Sequence, residues 1–213
     1  MAIINFKEKI IQIKIVYYGP GRSGKTTNLE YLYSSLKKKF KDDLPSKLIT
    51  IDTQGDRTLF FDFFPIELGK INGLDLKLQL YTTPGQVMYE STRRLVLKGV
   101  DGVVFVADSL ASREEANLES FQNLKDNLAH HKLGLDDIDL VFQWNKRDLC
   151  ENGIPLLDTE SMEKQLNSSV KTRSFPTSAT LGTNVFKTLN VAAKLTVTSV
   201  IEKLLDKKHD LPN

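Results

Sequence analysis

Residues 10–26 read IIQIKIVYYGPGRSGKT, and the rest of the chain is arranged around that stretch. Its first half, Ile10 to Tyr18, is an apolar run rich in β-branched residues, the pattern of a buried strand. Its second half, Gly19-Pro20-Gly21-Arg22-Ser23-Gly24-Lys25-Thr26, fits G-x-x-x-x-G-K-[ST]. Thr27 to Phe40 then has the spacing of a helix. Strand, glycine-rich turn and helix in that order make a phosphate cradle. Glycines let the backbone curl until its N–H groups point inward, and the helix N-terminus adds partial positive charge. Lys25 is expected to reach the β- and γ-phosphates, and the Thr26 hydroxyl to ligate Mg²⁺. Gly19, Gly21, Arg22, Ser23, Gly24 and Thr27 are expected to line the rest of the cradle.

Outward from the cradle, apolar runs alternate with helical patterns. Leu74 to Tyr81, Gly102 to Ala107 and Ile138 to Trp144 read as strands, with Arg173 to Thr177 a weaker one and Leu48 to Ile51 a small extra one. Tyr89 to Leu97, Glu114 to His130, Thr159 to Asn167 and about Asn184 to Lys207 read as helices. This alternation implies an α/β fold in three layers, a mostly parallel sheet with helices on both faces and ligands at the carboxyl ends of strands. The last helix carries Phe186, Leu189, Ala193, Val197, Val200, Ile201, Leu204 and Leu205 at helical spacing, a stripe for packing on the sheet. One stretch breaks the pattern. Thr58 to Leu68 reads TLFFDFFPIEL, and Pro65 removes a ladder donor, so one antiparallel edge strand is expected there. Phe60, Phe61, Phe63 and Phe64 either pack between core and helix or form an aromatic docking surface.

A phosphate cradle does not select a base. Asn145-Lys146-Arg147-Asp148 does, standing directly after the strand Ile138 to Trp144. There Asp148 can accept hydrogen bonds from the guanine N1–H and exocyclic amine, a pattern adenine does not supply. Asn145 would bond the other base edge, and the Lys146 stem would cover the ring. A buried carboxylate left unpaired is costly, which is how such a site rejects the wrong base. Ser178-Ala179-Thr180, after the weak last strand, is expected to finish the pocket.

Taken in order, P-loop, switch threonine, P-G-Q, N-K-R-D and S-A-T resemble a small GTPase of the Ras-like superfamily. KIVYYGPGRSGKTTNLEYLY, DRTLFFDFFP, YTTPGQVMYESTRRLVLKGVDGVVFVADS and NKRDL are similar to its MglA branch, the bacterial gliding-motility and cell-polarity GTPases. That resemblance implies GTP and GDP as ligands and a roadblock-type activating protein of the MglB kind. Effectors binding the switch regions and a role in polarity or surface motility are implied with it.

Within it, Thr58 is the switch I threonine, its hydroxyl on Mg²⁺ and its N–H on the γ-phosphate. Gly85 is expected to turn its N–H toward the γ-phosphate, and Gln86 to orient the attacking water. Thr82 stands where Ras-like proteins generally place Asp, and a neutral hydroxyl stabilises the metal less than a carboxylate. Either Mg²⁺ is held less firmly, or an acid such as Asp56 or Asp62 compensates. Arg57 is the arginine that the resemblance places in cis at the γ-phosphate. Neighbours on an extended chain point to opposite sides, so with Thr58 on the metal Arg57 enters only after a partner-driven rearrangement; the plainer reading is a solvated surface arginine.

Composition fits this picture and excludes others. The chain has 213 residues, 40% of them hydrophobic and 26% charged, ordinary for a single globular GTPase domain over 1–213. Twenty-nine basic and 27 acidic side chains give no global case for nucleic acid. Cys150 stands alone, so no internal disulfide forms, and a packed or inert thiol is expected there. His130 and His131 diverge on a helix end, and Lys37, Lys38, Lys39 and Lys41 read as a solvated run against the helix dipole or, more sharply, as a docking site for an acidic partner surface. Met1 to Phe6 is too short for a signal peptide, Ala2 does not suit myristoylation, and Leu211-Pro212-Asn213 is no prenylation box. The expectation is a cytoplasmic protein without a direct lipid anchor, placed at a pole or membrane complex by its partners. Two rivals remain: a GTP-binding scaffold with negligible hydrolysis, and a P-loop kinase of a small molecule, which gains nothing from N-K-R-D.

Overall fold

The computed structural model describes residues 3–5, 7–39, 49–51, 61–71, 73–84 and 90–209. Chain order gives β1 (Ile3–Asn5), β2 (Ile10–Tyr18), α1 (Lys25–Lys39), β3 (Ile49–Ile51), β4 (Phe61–Ile71) and β5 (Leu74–Thr82). There follow α2 (Glu90–Leu97), β6 (Gly102–Asp108), α3 (Glu114–His130), β7 (Asp139–Asn145), α4 (Thr159–Met162), β8 (Ser174–Pro176) and α5 (Val185–His209). The five strands expected from apolar runs are met to within a residue at each end. Helix α1 starts at Lys25, two residues before the expected Thr27, and α4 passes into a π-helical turn over Glu163–Asn167.

The sheet has eight strands in the order β3-β4-β5-β2-β6-β7-β8, with β1 paired to β2. β2 lies between β5 and β6, parallel to both, and β7 and β8 continue in parallel. Every residue of β6 is buried, which is why this strand reads as an unbroken apolar run. The sheet is mostly parallel as expected, with the antiparallel pairing at β4. β4 runs antiparallel to β5, but β3 lies outside it, Ile49 opposite Phe63 and Ile51 opposite Phe61, and β1 on β2 is also antiparallel. Pro65 sits within β4 opposite Gln79, beyond the three-residue reach of β3, so no described partner asks it for a second ladder bond.

Alternation sorts the central strand into two layers of core. Ile11, Ile13, Ile15 and Tyr17 join Leu78, Leu80, Val104 and Val106 beneath Leu29 and Leu32 of α1 and Val185, Leu189 and Ala192 of α5. Val16 and Tyr18 join Phe105, Phe142 and Trp144 beneath α2 and α3, through Val96, Leu97, Phe121, Leu124 and Leu128. Each large side chain removed from water contributes about 1.5–3 kcal/mol. Of the expected stripe on α5, Leu189 and Val200 lie in the core and Phe186, Ala193 and Val197 pack against it, while the side chains of Leu204 and Leu205 lie outside the described residues. The carboxyl ends of β2, β6 and β7 and the turn after β8 come together on one edge of the sheet, bringing Gly19, Asp108, Asn145 and Ala179 into one neighbourhood.

Candidate nucleotide-binding site

Backbone conformation builds the cradle first. Between β2 and α1 the chain takes positive φ at Gly19 (142°), Arg22 (64°) and Gly24 (98°). A Cβ on Gly19 would lie 2.2 Å from the Val106 carbonyl oxygen, and one on Gly24 would lie 2.3 Å from Asn145 Nδ2. Only glycine fits at either position, so the motif's spacing is a steric demand. Arg22 holds its positive φ with an exposed side chain that borders the base recess.

The loop carbonyls are held by named donors. Lys25 Nζ donates to the Gly19 and Pro20 carbonyls at 2.9 and 2.7 Å. Arg113 Nη2 donates to the Gly21 carbonyl at 2.9 Å, Asn145 Nδ2 to Ser23 at 2.7 Å, and the Asn28 N–H to Gly24 at 3.0 Å. Ser23 is fully buried, and its Oγ has no hydrogen-bond partner. Thr26 lies exposed in the first turn of α1, with Thr27 beside it half-buried.

A second loop meets the first from the far end of β7. Lys146 is left-handed (φ 72°), which turns the chain outward after Asn145. Asn145 braces the site: its Nδ2 holds Ser23, while its Oδ1 accepts from the Ala179 N–H at 2.9 Å. One amide hydrogen and one lone pair remain for a base edge. Ser178 Oγ and Thr180 Oγ1 stand 3.1 Å apart, and Asp148 Oδ2 lies 3.5 Å from Thr180 Oγ1. Asp148 Oδ1 is buried without any hydrogen-bond partner. Gly24, Thr27, Asn145, Lys146, Asp148 and Ala179 enclose a recess of about 180 Å³. That is below the roughly 300–1,000 Å³ of a drug-sized site and suits one flat ring system. A wider groove of about 1370 Å³ runs along α3 from Pro20 and Gly21, past Arg93 and Arg113.

The structure also brings in residues that the sequence reading passed over. Asp108, at the carboxyl end of β6 and fully buried, pairs with Lys146 Nζ at 2.6 Å. Within α2, Arg93 is buried and donates to the Pro84 carbonyl at 3.0 Å and to Asn123, which also meets Tyr18 and Glu90. A charged residue ending an unbroken apolar strand, as in VVFVAD, was the readable signal for Asp108. Nothing local marks Arg93.

Arg57, Thr58, Gly85, Gln86, Asp56 and Phe60 lie outside the described residues, as do the side chains of Phe61, Asp62, Phe63 and Phe64. Thr82 ends β5 and is 3% exposed, and the next N–H, of Thr83, donates to the Tyr17 carbonyl at 3.1 Å. Among the described residues no three His, Cys, Asp or Glu side chains gather as a metal site. Hydroxyls at the start of α1 and the end of β5 suit Mg²⁺ that keeps phosphate and water ligands, and do not suit a metal caged by protein carboxylates. Cys150 is exposed, so the expectation of a packed thiol there is corrected. His131 Nε2 lies 2.7 Å from the Arg94 carbonyl of α2.

Comparison with known proteins agrees with this geometry. The Ras family model matches residues 14–198. Mutual gliding-motility protein MglA of Myxococcus xanthus is 48% identical over 200 residues, spanning 94% of this chain and 98% of that one. GTP-binding protein yptV2 of Volvox carteri is 28% identical over 66% of this chain and 55% of its own. Human Ras-related protein Rab-4A is 27% identical over 70% of this chain and 66% of its own.

Proposed function

The chain belongs to the Ras family of P-loop GTPases, and from that premise we propose that it is a two-state switch holding GTP or GDP with Mg²⁺. The observation that carries the reading is the buried, unpartnered Oδ1 of Asp148, a residue that lines the recess beside the P-loop. Guanine supplies the two donors that this carboxylate lacks. Adenine presents no such pair, and the penalty for an unpaired buried acceptor rejects it. Asn145 then fixes the recess against Ser23 and Ala179, while Thr180 lines it and meets the Ser178 hydroxyl.

At the phosphate end, Lys25 stands on the cradle's own carbonyls and takes the β- and γ-phosphates, with Gly19, Gly21, Arg22, Ser23, Gly24 and Thr27 around them. Thr26 and Thr58 would hold Mg²⁺, which supplies charge neutralisation at the phosphates. Gln86 orients the attacking water, Gly85 and Thr58 sense the γ-phosphate, and loss of that phosphate releases their loops. Arg57 enters in cis when a roadblock-type activating protein of the MglB kind reshapes its loop, an effect of about 10³ to 10⁵ in rate. One relative is named for mutual gliding motility, and control of cell polarity or surface motility from the cytoplasm, in a single domain over 1–213, is the role proposed here. No helix of the described residues is long and apolar enough to cross a membrane; recruitment to a pole by partners is part of the proposed role.

Thr82 supports a second reading, a GTP-binding scaffold whose weak metal site leaves hydrolysis negligible. Titration with GDP and ADP, each with Mg²⁺ and with EDTA, tests the proposal. Tight GDP binding, at least 100-fold weaker ADP binding and a Mg²⁺ effect on GDP alone are expected. Equal binding of GDP and ADP would overturn it.

A further inference from the structure

We infer that Arg113 is a positioning residue for the phosphate cradle, fixing the peptide between Gly21 and Arg22 so that the Arg22 N–H faces the nucleotide. Arg113 closes a single 3₁₀ turn, Ala111–Arg113, directly after the segment that leaves β6. Its Nη2 donates to the Gly21 carbonyl at 2.9 Å, across 92 residues of sequence. Its Nε lies 3.7 Å from Asp108 Oδ2, the oxygen that also accepts from Lys146 Nζ at 2.6 Å.

Asp108 makes this anchor stiff. Its side chain is 1% exposed, and its backbone N–H and carbonyl both pair with the Asn117 side chain at 2.8 Å. Its Oδ1 accepts from the Leu110 N–H at 3.2 Å. A carboxylate pinned in this way and flanked by two cations moves only at the cost of several bonds, so it fixes the guanidinium beside it.

The consequence at the P-loop follows from peptide geometry. In a planar trans peptide the carbonyl and the following N–H point in opposite directions. By drawing the Gly21 carbonyl toward α3, Arg113 turns the Arg22 N–H to the other side. Arg22 already occupies a positive φ that a residue with a side chain adopts at a cost, so the loop here needs an external hold. Freed from Arg113, this peptide can flip and aim a carbonyl at phosphate oxygens. The base loop does not depend on the same bond, because Asp108 keeps Asn117, Leu110 and Lys146.

The inference rests on the reading that the P-loop holds a guanine nucleotide's phosphates, and one assay separates the two. Release of mant-GDP chased by excess GDP is followed for wild type, Arg113→Gln and Arg113→Lys, with guanosine measured as a competitor. Because the Arg113 side chain is 35% exposed, about three- to tenfold faster release is expected for R113Q. Guanosine affinity, which has no phosphate to report, should stay unchanged, and R113K should recover part of the loss. Unchanged release in R113Q, or guanosine and GDP weakened equally, would overturn the role of Arg113. Wild type failing to bind mant-GDP at all would overturn the nucleotide reading as well.

Discussion

Replacing Asp148 with asparagine should exchange one nucleobase preference for another. In the structure Asp148 Oδ1 is buried and unpartnered, and Oδ2 has only a long contact of 3.5 Å to Thr180 Oγ1. Guanine's N1–H and amine would each return a charge-assisted bond of about 1.5–3 kcal/mol. Asp148→Asn keeps one acceptor and sets an N–H against a base donor. Asp148 is only partly buried as a residue, so the lower end of that range applies twice, a loss of roughly 3–4 kcal/mol or about 100- to 1,000-fold in GDP affinity. Xanthine carries a carbonyl where guanine carries its amine, and that carbonyl accepts from the new amide. Displacement of mant-GDP by GDP, XDP and ADP, from wild type and D148N, reads all three terms. A D148N protein that melts normally yet binds GDP within threefold of wild type would refute the base-recognition reasoning. So would one whose XDP affinity fails to rise.

Other perturbations probe the cradle, the switch and the frame. Gly19→Ala places a methyl 2.2 Å from a backbone oxygen at a φ of 142°, and a loss of about 2–4 kcal/mol is expected in urea melts of the nucleotide-free protein. Arg57→Ala should leave GTP affinity within about twofold while lowering hydrolysis stimulated by a roadblock-type partner by at least tenfold; equal stimulated rates would dismiss a cis arginine. Lys14, whose Nζ meets the Lys98 carbonyl at the end of α2, has its pKa lowered by burial from 10.5 to about 8, against the pull of Asp101. Between about pH 8 and 10.5 the unfolded chain therefore binds more protons at this side chain than the folded one, and its contribution to stability rises with pH. Below that window the contribution is flat. Lys14→Met should remove the rise from melts taken at pH 7, 8.5 and 10.

What was legible in the sequence is what local chemistry dictates. Glycines with no room for a Cβ, a lysine and threonine at a helix start, and carboxylate and amide at a strand end each announce themselves within a few residues. The unbroken run of β6 declared a central strand because burial on both faces leaves no polar positions. What escaped depends on pairing across the chain. β3 lies outside β4 through three residue pairs that nothing in TLFFDFFPIEL encodes. Arg113 reads as a surface arginine at the start of a helix, and only the fold carries it to Gly21, 92 residues away. Arg93 looks like an exposed member of an amphipathic helix, yet the asparagines of α3 give it a polar seam to enter. Asn145 was read as a base ligand, and the structure adds that it braces Ser23 and Ala179 at the same time.

The most direct test of a GTPase switch is one turnover of γ-³²P-GTP by the purified chain with Mg²⁺, scored for phosphate over hours, beside Gln86→Leu. Slow release of one equivalent of phosphate, on the order of 10⁻⁴ s⁻¹, with GDP left bound and Q86L at least tenfold slower, is the expected result. GTP retained intact by wild type at the rate of buffer alone would contradict it, and would leave the scaffold reading standing.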